Sequence, residues 1–311
     1  MELSFEGISG ANTEKYDDLG IDLPLYSPER IKADSLANPR WLHLGLTDMF
    51  RGPIANIQDK LLNGGFDYTG IIALASDKAE AEKKLLDDCD YLCLYQERAK
   101  EKTRTKVVGS LVDFYSLADP EDLSAVEIFM SHYYLDIFSL TIGSENYELT
   151  EADKAADLEH TAGPLSQILA LLYLRYKSQM ALAIVSFDDL EHNGDKLKEA
   201  LISLAKLWAK DSKVEAEFID YLADESKFAF PNTKISKKIL AKDEELRDDL
   251  AKYDIANLQN VEIDAGSKAD NFVAASLDGQ IIIEDKFPNG RPNFEAVDVS
   301  VLDSAEFEKL N

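Results

Sequence analysis

The 311-residue sequence predicts a doubly wound, largely parallel α/β sheet. Short apolar runs suited to buried strands alternate with longer segments of helical spacing along most of the chain. The first unit reads strand, glycine turn, helix, strand, the opening of a βαβ motif. The later helical segments, above all 161–178 and 194–208, carry regular apolar positions over several turns.

The elements follow in order. Residues 1–39 are polar, punctuated by Gly and Pro, and read as an arm laid over the fold. RWLHLGL (40–46) is a short apolar strand ending at Gly45. GPIANIQDKLLN (52–63) has helical spacing and closes on Gly64 and Gly65, a natural helix stop. YTGIIALA (68–75) is a second buried strand, and 77–86 repeats helical charge spacing. YLCLYQER (91–98) and TKVVGSLVDFYSL (105–117) read as two adjacent strands joined by the charged AKEKTR, an exposed hairpin. Asp119 and Pro120 open a helix running to His132, with proline in its first turn. DIFSLTIG (136–143) is a β run, 161–178 an amphipathic helix and MALAIVSF (180–187) a buried strand. The helix over 194–208 places Leu197, Leu201, Leu204 and Leu207 on one side. FAFP (228–231) is a last short strand and turn; 239–260 is charged and helix-prone; 261–301 is strand-like. Parallel neighbours in such a sheet are joined by right-handed crossovers.

Composition narrows the function. With 45% hydrophobic residues the chain can bury one large core or two domains. Fifty-nine acidic against 33 basic residues give a net charge of -26, a surface that repels nucleic-acid backbones and anionic lipids. That charge also suits a soluble monomer. The first 20 residues show no basic stretch followed by an apolar one, so no signal peptide is apparent. The apolar runs fall short of the ~20 residues a membrane span needs, and a cytoplasmic protein is expected. Cys89 and Cys93 would sit on one side of a strand ~13 Å apart, too far for a disulfide, and are expected as buried reduced thiols. The four histidines are dispersed and suggest no metal site.

Five stretches could carry chemistry. After the first strand comes His43-Leu44-Gly45-Leu46-Thr47-Asp48-Met49-Phe50-Arg51-Gly52-Pro53. A dinucleotide fold needs glycine there because pyrophosphate must approach bare amides at a helix N-terminus; for an ordinary strand-to-helix turn, the other reading, one glycine suffices. Asp77 ends the second strand, where a carboxylate can hold an adenosine ribose and repel a 2′-phosphate. Glu80 is the alternative, and a plain helix cap is an equal reading of Asp77. SFDDLEHNGD (186–195) follows a later strand, GSENY (143–147) another, and FPNTKISK (230–237) and EDKFPNGRP (284–292) come near the end.

These motifs, in this order over roughly residues 40–299, resemble the long-chain polyol dehydrogenase family of mannitol 2-dehydrogenases and fructuronate (D-mannonate oxidoreductase) or tagaturonate reductases. The resemblance implies a Rossmann-type domain over 40–226 that binds NAD, with a second, mainly helical substrate domain beginning in 227–311. It implies hydride transfer between a secondary alcohol of a small sugar alcohol or sugar acid and its ketone. Gly45 and Arg51 match the family's H-L-G-x-G-x-F-H-R-A-H and would meet the cofactor; Thr47 replaces its second glycine. Thr47 would crowd the phosphates and Asp48 would add charge beside them, so weak NAD binding is expected. In SFDDLEHNGD, Asp189 stands where the family has the asparagine that polarises the substrate carbonyl; an ionised carboxylate cannot donate to an oxyanion. In GSENY only Tyr147 is kept, and Glu145 reverses a charge. Asn232 is kept and Lys237 replaces part of an Asp–Arg pair near the substrate, which makes both candidate substrate residues. The family's catalytic lysine lies on a helix K-x-x-x-x-N-x-x-H soon after F-P-x-G-R-P. No counterpart precedes Asn311, so the substrate domain is expected to be cut short and the 311 residues alone inactive. The rival expectation is a decayed relative that folds without turning over.

Overall fold

The computed structural model describes residues 1–258, 260–264 and 267–310, with 260–264 and 267–269 by backbone alone. Its centre is a six-stranded parallel sheet: β1 (Trp41–Leu44), β2 (Ile71–Ala75), β3 (Leu111–Ser116), β4 (Ile137–Leu140), β5 (Leu182–Ser186) and β6 (Phe228–Ala229). The spatial order is β3-β2-β1-β4-β5-β6, so the winding reverses between β1 and β4. β1, β2, β4 and β5 are buried along their whole length, which explains their unbroken apolar runs.

Each face has its own cover. The helices Pro120–Met130, Pro164–Lys177, Asn193–Lys210 and Ala216–Ala223 pack on the side of Leu42, Leu74, Phe138 and Ile184. The helix Ala55–Asn63 covers Ile71 and Ala73 on the other side. Helices after β1 on one face and after β3 to β5 on the other is the placement right-handed crossovers give. The C-terminal segment completes the second face, with Ile281, Ile283, Phe294, Val297 and Val299 joining Trp41 and Val185 in one apolar cluster.

Several expectations change. The stretch 105–117 is not one strand. Lys102–Val108 pairs antiparallel with Cys93–Ala99, whereas β3 leaves after Gly109 and Ser110 to lie beside β2. The break falls where the Ser110 hydroxyl donates to the Ala55 carbonyl and the Ser110 carbonyl accepts from Ile71 N–H. The hairpin belongs to a second sheet, ordered Ile21–Asp22, Lys102–Val108, Cys93–Ala99, Phe272–Ser276. The first forty residues therefore supply a strand, and their helix Pro28–Ala37 buries Ile31 in the main core. The described strands of the strand-like 261–301 lie outside the central sheet, with Ser267–Asp270 pairing antiparallel to Asn260–Asp264 in a two-stranded ribbon. Ile281–Glu284 pairs with Thr233–Ile235 and Val299–Leu302 in a third sheet. Among the described residues of the helix-prone 239–260, only Glu244–Ala251 is helical. Cys89 lies in the turn after the helix Glu80–Asp87, not in a strand, so the strand geometry does not apply; both thiols are free and buried. At the end of the long helix Trp208 is buried and Leu207 faces the edge. Among the described residues no helix is long and apolar enough to cross a membrane.

Candidate functional site

The crevice where β1 and β4 diverge is built from the bottom by hydrogen bonds between the two strands. Gly45 has φ 116°, and a Cβ there would lie 2.3 Å from the Thr141 carbonyl oxygen. Glycine is thus demanded by the approach of the two strand ends. The Thr47 hydroxyl donates to Thr141 Oγ1 at 2.9 Å and accepts the Phe50 N–H at 3.3 Å, capping the following helix. Below it, His43 is fully buried, with Nε2 3.0 Å from Thr141 Oγ1 and Nδ1 2.6 Å from Ser139 Oγ. Trp41 Nε1 donates to the same Ser139 oxygen at 2.7 Å, and the His43 ring stacks on Phe50 at 3.8 Å. Burial holds the His43 pKa well below its usual value, so the ring is neutral. A neutral ring protonated on Nδ1 satisfies the chain from Thr47 through Thr141 and His43 to Ser139.

Charge at the helix mouth is balanced within the protein. Arg51 is buried, with one terminal nitrogen 2.7 Å from Asp48 and the other 2.7 Å from the Asp270 carbonyl oxygen. Lys242 lies 3.0 Å from Asp48 and 2.6 Å from the Asp270 carboxylate. The uncompensated charge expected of Asp48 is therefore absent. Burial works to raise its pKa, but Arg51 and Lys242 outweigh burial and hold it below the usual carboxylate value.

Asp77 is exposed just past the end of β2, and its carbonyl oxygen accepts the Ser116 hydroxyl at 2.6 Å. It is not a helix cap, because the next helix starts at Glu80 and its preceding residue is Ala79, at φ 42°. Beside it lies an apolar groove of about 160 Å³ between Leu117, Leu123, Leu158, Leu171 and Leu174. Gln167, in the same groove, donates to the Ser76 carbonyl at 2.7 Å, while its buried Oε1 lacks a partner. The sequence reading missed this groove because leucines at helical spacing look like core.

At the ends of β4 and β5 the buried carboxylate is Asp188. It accepts from Gly143 N–H at 2.8 Å, Ile142 N–H at 3.2 Å and the Tyr147 hydroxyl at 2.9 Å. Burial nonetheless lifts its pKa above the ordinary value, and Glu145, folded back over Gly143, adds to the lift. Asp189, the residue singled out by sequence, is exposed at the rim. Asn193 is buried and donates to the Ser186 and Asp188 carbonyls and to Thr233 Oγ1, at 3.1, 3.0 and 2.8 Å. Asn232 donates through its side chain to Glu284 at 2.9 Å and Asp195 at 3.0 Å, and accepts from Asp195 N–H at 3.2 Å. Lys237 is engaged elsewhere, on Glu97 of the second sheet, in a cleft lined also by Lys60 and Arg104. The kept EDKFPNGRP stretch is structural: Arg291 binds Asp285 at 3.0 and 3.2 Å and Glu295 at 2.7 Å twice. Asp188 and Tyr147 stood inside quoted motifs without being assigned a role; Lys242 carried no local signal, since its partner is almost 200 positions away. Among the described residues no group of three His, Cys, Asp or Glu side chains could hold a metal ion.

A parallel sheet in the order 3-2-1-4-5-6, with a glycine turn into a helix at the reversal and a carboxylate ending the second strand, defines a dinucleotide-binding fold of the Rossmann type. Its relatives are specific. The chain is 28% identical to a D-mannonate oxidoreductase of Thermotoga maritima, over 92% of this chain and 55% of that protein. It is 27% identical to a mannitol 2-dehydrogenase of Pyricularia oryzae, over 96% of this chain and 58% of that protein. A solved structure of Pseudomonas fluorescens mannitol 2-dehydrogenase, a ternary complex with NAD and D-mannitol, superposes with a TM-score of 0.76 at 23% identity. That superposition covers 98% of this chain and 58% of the other. No family model matches. The chain is thus a homologue of mannonate and mannitol dehydrogenases, as its motifs indicated, and spans slightly more than half the length of these relatives.

Proposed function

We propose that the chain is an NAD-dependent oxidoreductase of the mannitol dehydrogenase and mannonate oxidoreductase type. It would act between a secondary alcohol of a small sugar alcohol or sugar acid and the corresponding ketone. The reading rests on the crevice at the β1–β4 reversal, with Asp77 past the end of β2 and an apolar groove beside it. These residues fit a dinucleotide. Asp77 would hold the adenosine ribose hydroxyls, the groove would take the adenine, and the orphaned Gln167 oxygen would accept from its amino group. Gly45, Thr47 and the helix mouth would face the pyrophosphate. NAD, when bound, would supply the hydride acceptor. Asp188 would fix the loop of Ile142 and Gly143 beside the reacting end. Arg51 supports the mouth from inside, and Asn232 acts by holding the 231–233 turn. Lys237 would reach a substrate only by leaving Glu97.

A second reading, a folded relative without turnover, is favoured by the exposed carboxylate of Asp189 where the family has a hydrogen-bond-donating asparagine. One assay separates them: protein is mixed with NADH and fructuronate, tagaturonate or fructose, and nicotinamide absorbance is followed. Turnover near ~1 s⁻¹ or above, within the ordinary enzyme range, supports the enzyme. Saturable NADH binding with no oxidation by any of the three favours the second reading.

A further inference from the structure

Lys242 lies on the connector between the third sheet and the helix Glu244–Ala251, almost 200 positions from the β1 turn, yet its ammonium meets Asp48 in the first turn of the helix after β1. Both side chains keep part of their surface in solvent, 15% for Lys242 and 29% for Asp48, so the pair stands at the edge of the crevice. Two carboxylates, Asp48 and Asp270, face two cations, Arg51 and Lys242, and the cluster is neutral as a whole. Arg51 is buried and divided between Asp48 and the Asp270 carbonyl, so it cannot move toward a ligand without exposing both. Lys242 is the more exposed of the two cations.

A helix N-terminus attracts anions through its free N–H groups and dipole, and a carboxylate in the first turn competes for the same field. An unbalanced Asp48 would repel a diphosphate at that mouth. We propose that Lys242 sets the affinity of this crevice for a dinucleotide, by cancelling the charge of Asp48 where the pyrophosphate would approach. The proposal rests on the dinucleotide reading above and adds a residue outside the central sheet to it. It also gives the second sheet a role: Phe272–Ser276, separated from Asp270 by Asn271 alone, pairs with Cys93–Ala99 and holds the lysine's second anchor in place.

The test is a double-mutant cycle read by NADH fluorescence titration, at low and high salt, on wild type, Lys242→Met, Asp48→Asn and the combined variant, each checked for folding by circular dichroism. Lys242→Met is expected to weaken NADH by about tenfold at low salt, an effect that shrinks at high salt. Asp48→Asn is expected to bind as well as wild type or better, and the combined variant to recover to within about threefold of Asp48→Asn. A Lys242→Met protein that binds like wild type, or a combined variant as weak as Lys242→Met, overturns the proposal while leaving the dinucleotide reading intact. Absence of NADH binding in all four overturns both. Should Lys242→Met fail to fold, Asp48→Asn alone decides: weaker binding than wild type contradicts the charge argument.

Discussion

Arg175 illustrates how one side chain can organise this fold without any chemistry. It is fully buried, and its guanidinium donates to the carbonyls of Ala181, Leu135, His132 and Met130 at 2.9, 2.7, 2.6 and 3.2 Å. It faces backbone rather than a carboxylate, and burial lowers its pKa to about 10. Replacing it with Met would strand those carbonyls, so Arg175→Met should cost about 3 kcal/mol or more, read by urea unfolding. Thr47 carries a smaller version of the same lesson. Its identity suggested crowding of a ligand, but its hydroxyl is spent on Thr141 and on the helix start. Thr47→Val is therefore expected to lose about 1 kcal/mol of stability, again by urea unfolding. Nothing in the one-dimensional pattern could reveal this, because Thr141 is 94 positions away. Asp189 and Asp188 make the contrast plain. Two adjacent carboxylates look alike in sequence, and only the β4 loop and Tyr147 decide that Asp188 is the buried one.

The elements were more legible than their partners. The strands and helices of the central sheet followed from apolar period, glycine stops and the Asp119–Pro120 helix start, which the Asp119 side chain does cap. What pattern could not supply was which strands pair, since Val107 and Val108 run into β3 across only Gly109 and Ser110, yet Lys102–Val108 and β3 belong to different sheets. The helical turn Phe50–Ile54, which leads into the helix over 55–63, meets the second sheet through Gly52, where a Cβ would stand 2.5 Å from Val273 Cγ1 and 2.9 Å from the Tyr95 ring. Gly52→Ala should thus lower stability by roughly 1–3 kcal/mol by overpacking, seen as a fall in Tm. The third sheet is tied to the Asn232 turn by Glu284, which also binds Lys286 at 3.0 Å. Burial would raise the Glu284 pKa, but hydrogen bonds from Ser304, Lys286 and the Asn232 amide win and lower it. A carboxyl with a lowered folded pKa stabilises above its unfolded pKa, and that contribution is lost as pH falls through the folded one. Glu284→Gln should accordingly be less stable at neutral pH and lose less stability on acidification, measured by denaturant midpoints across pH 7 to 3.

Taken as one object, the molecule is a Rossmann-type fold buttressed by two additional sheets and a two-stranded ribbon, and its crevice is assembled from distant parts. β1 and β4 provide the mouth, the end of β2 the exposed carboxylate of Asp77, two helices the apolar groove, and the connector before the helix Glu244–Ala251 the lysine that pairs with Asp48. Motif order along the chain made the relationship to polyol dehydrogenases readable. The charge network and the groove were not, because each joins residues that no local window contains. The claim on which all of this depends is that the crevice binds NAD and that Asp77 chooses it over NADP. The direct measurement is a fluorescence titration of wild type and Asp77→Ser with NADH and NADPH. Saturable NADH binding by wild type, at least about tenfold tighter than NADPH and with that preference lost in Asp77→Ser, is the expected result. No saturable binding of either nucleotide, or a preference unchanged by Asp77→Ser, would contradict it.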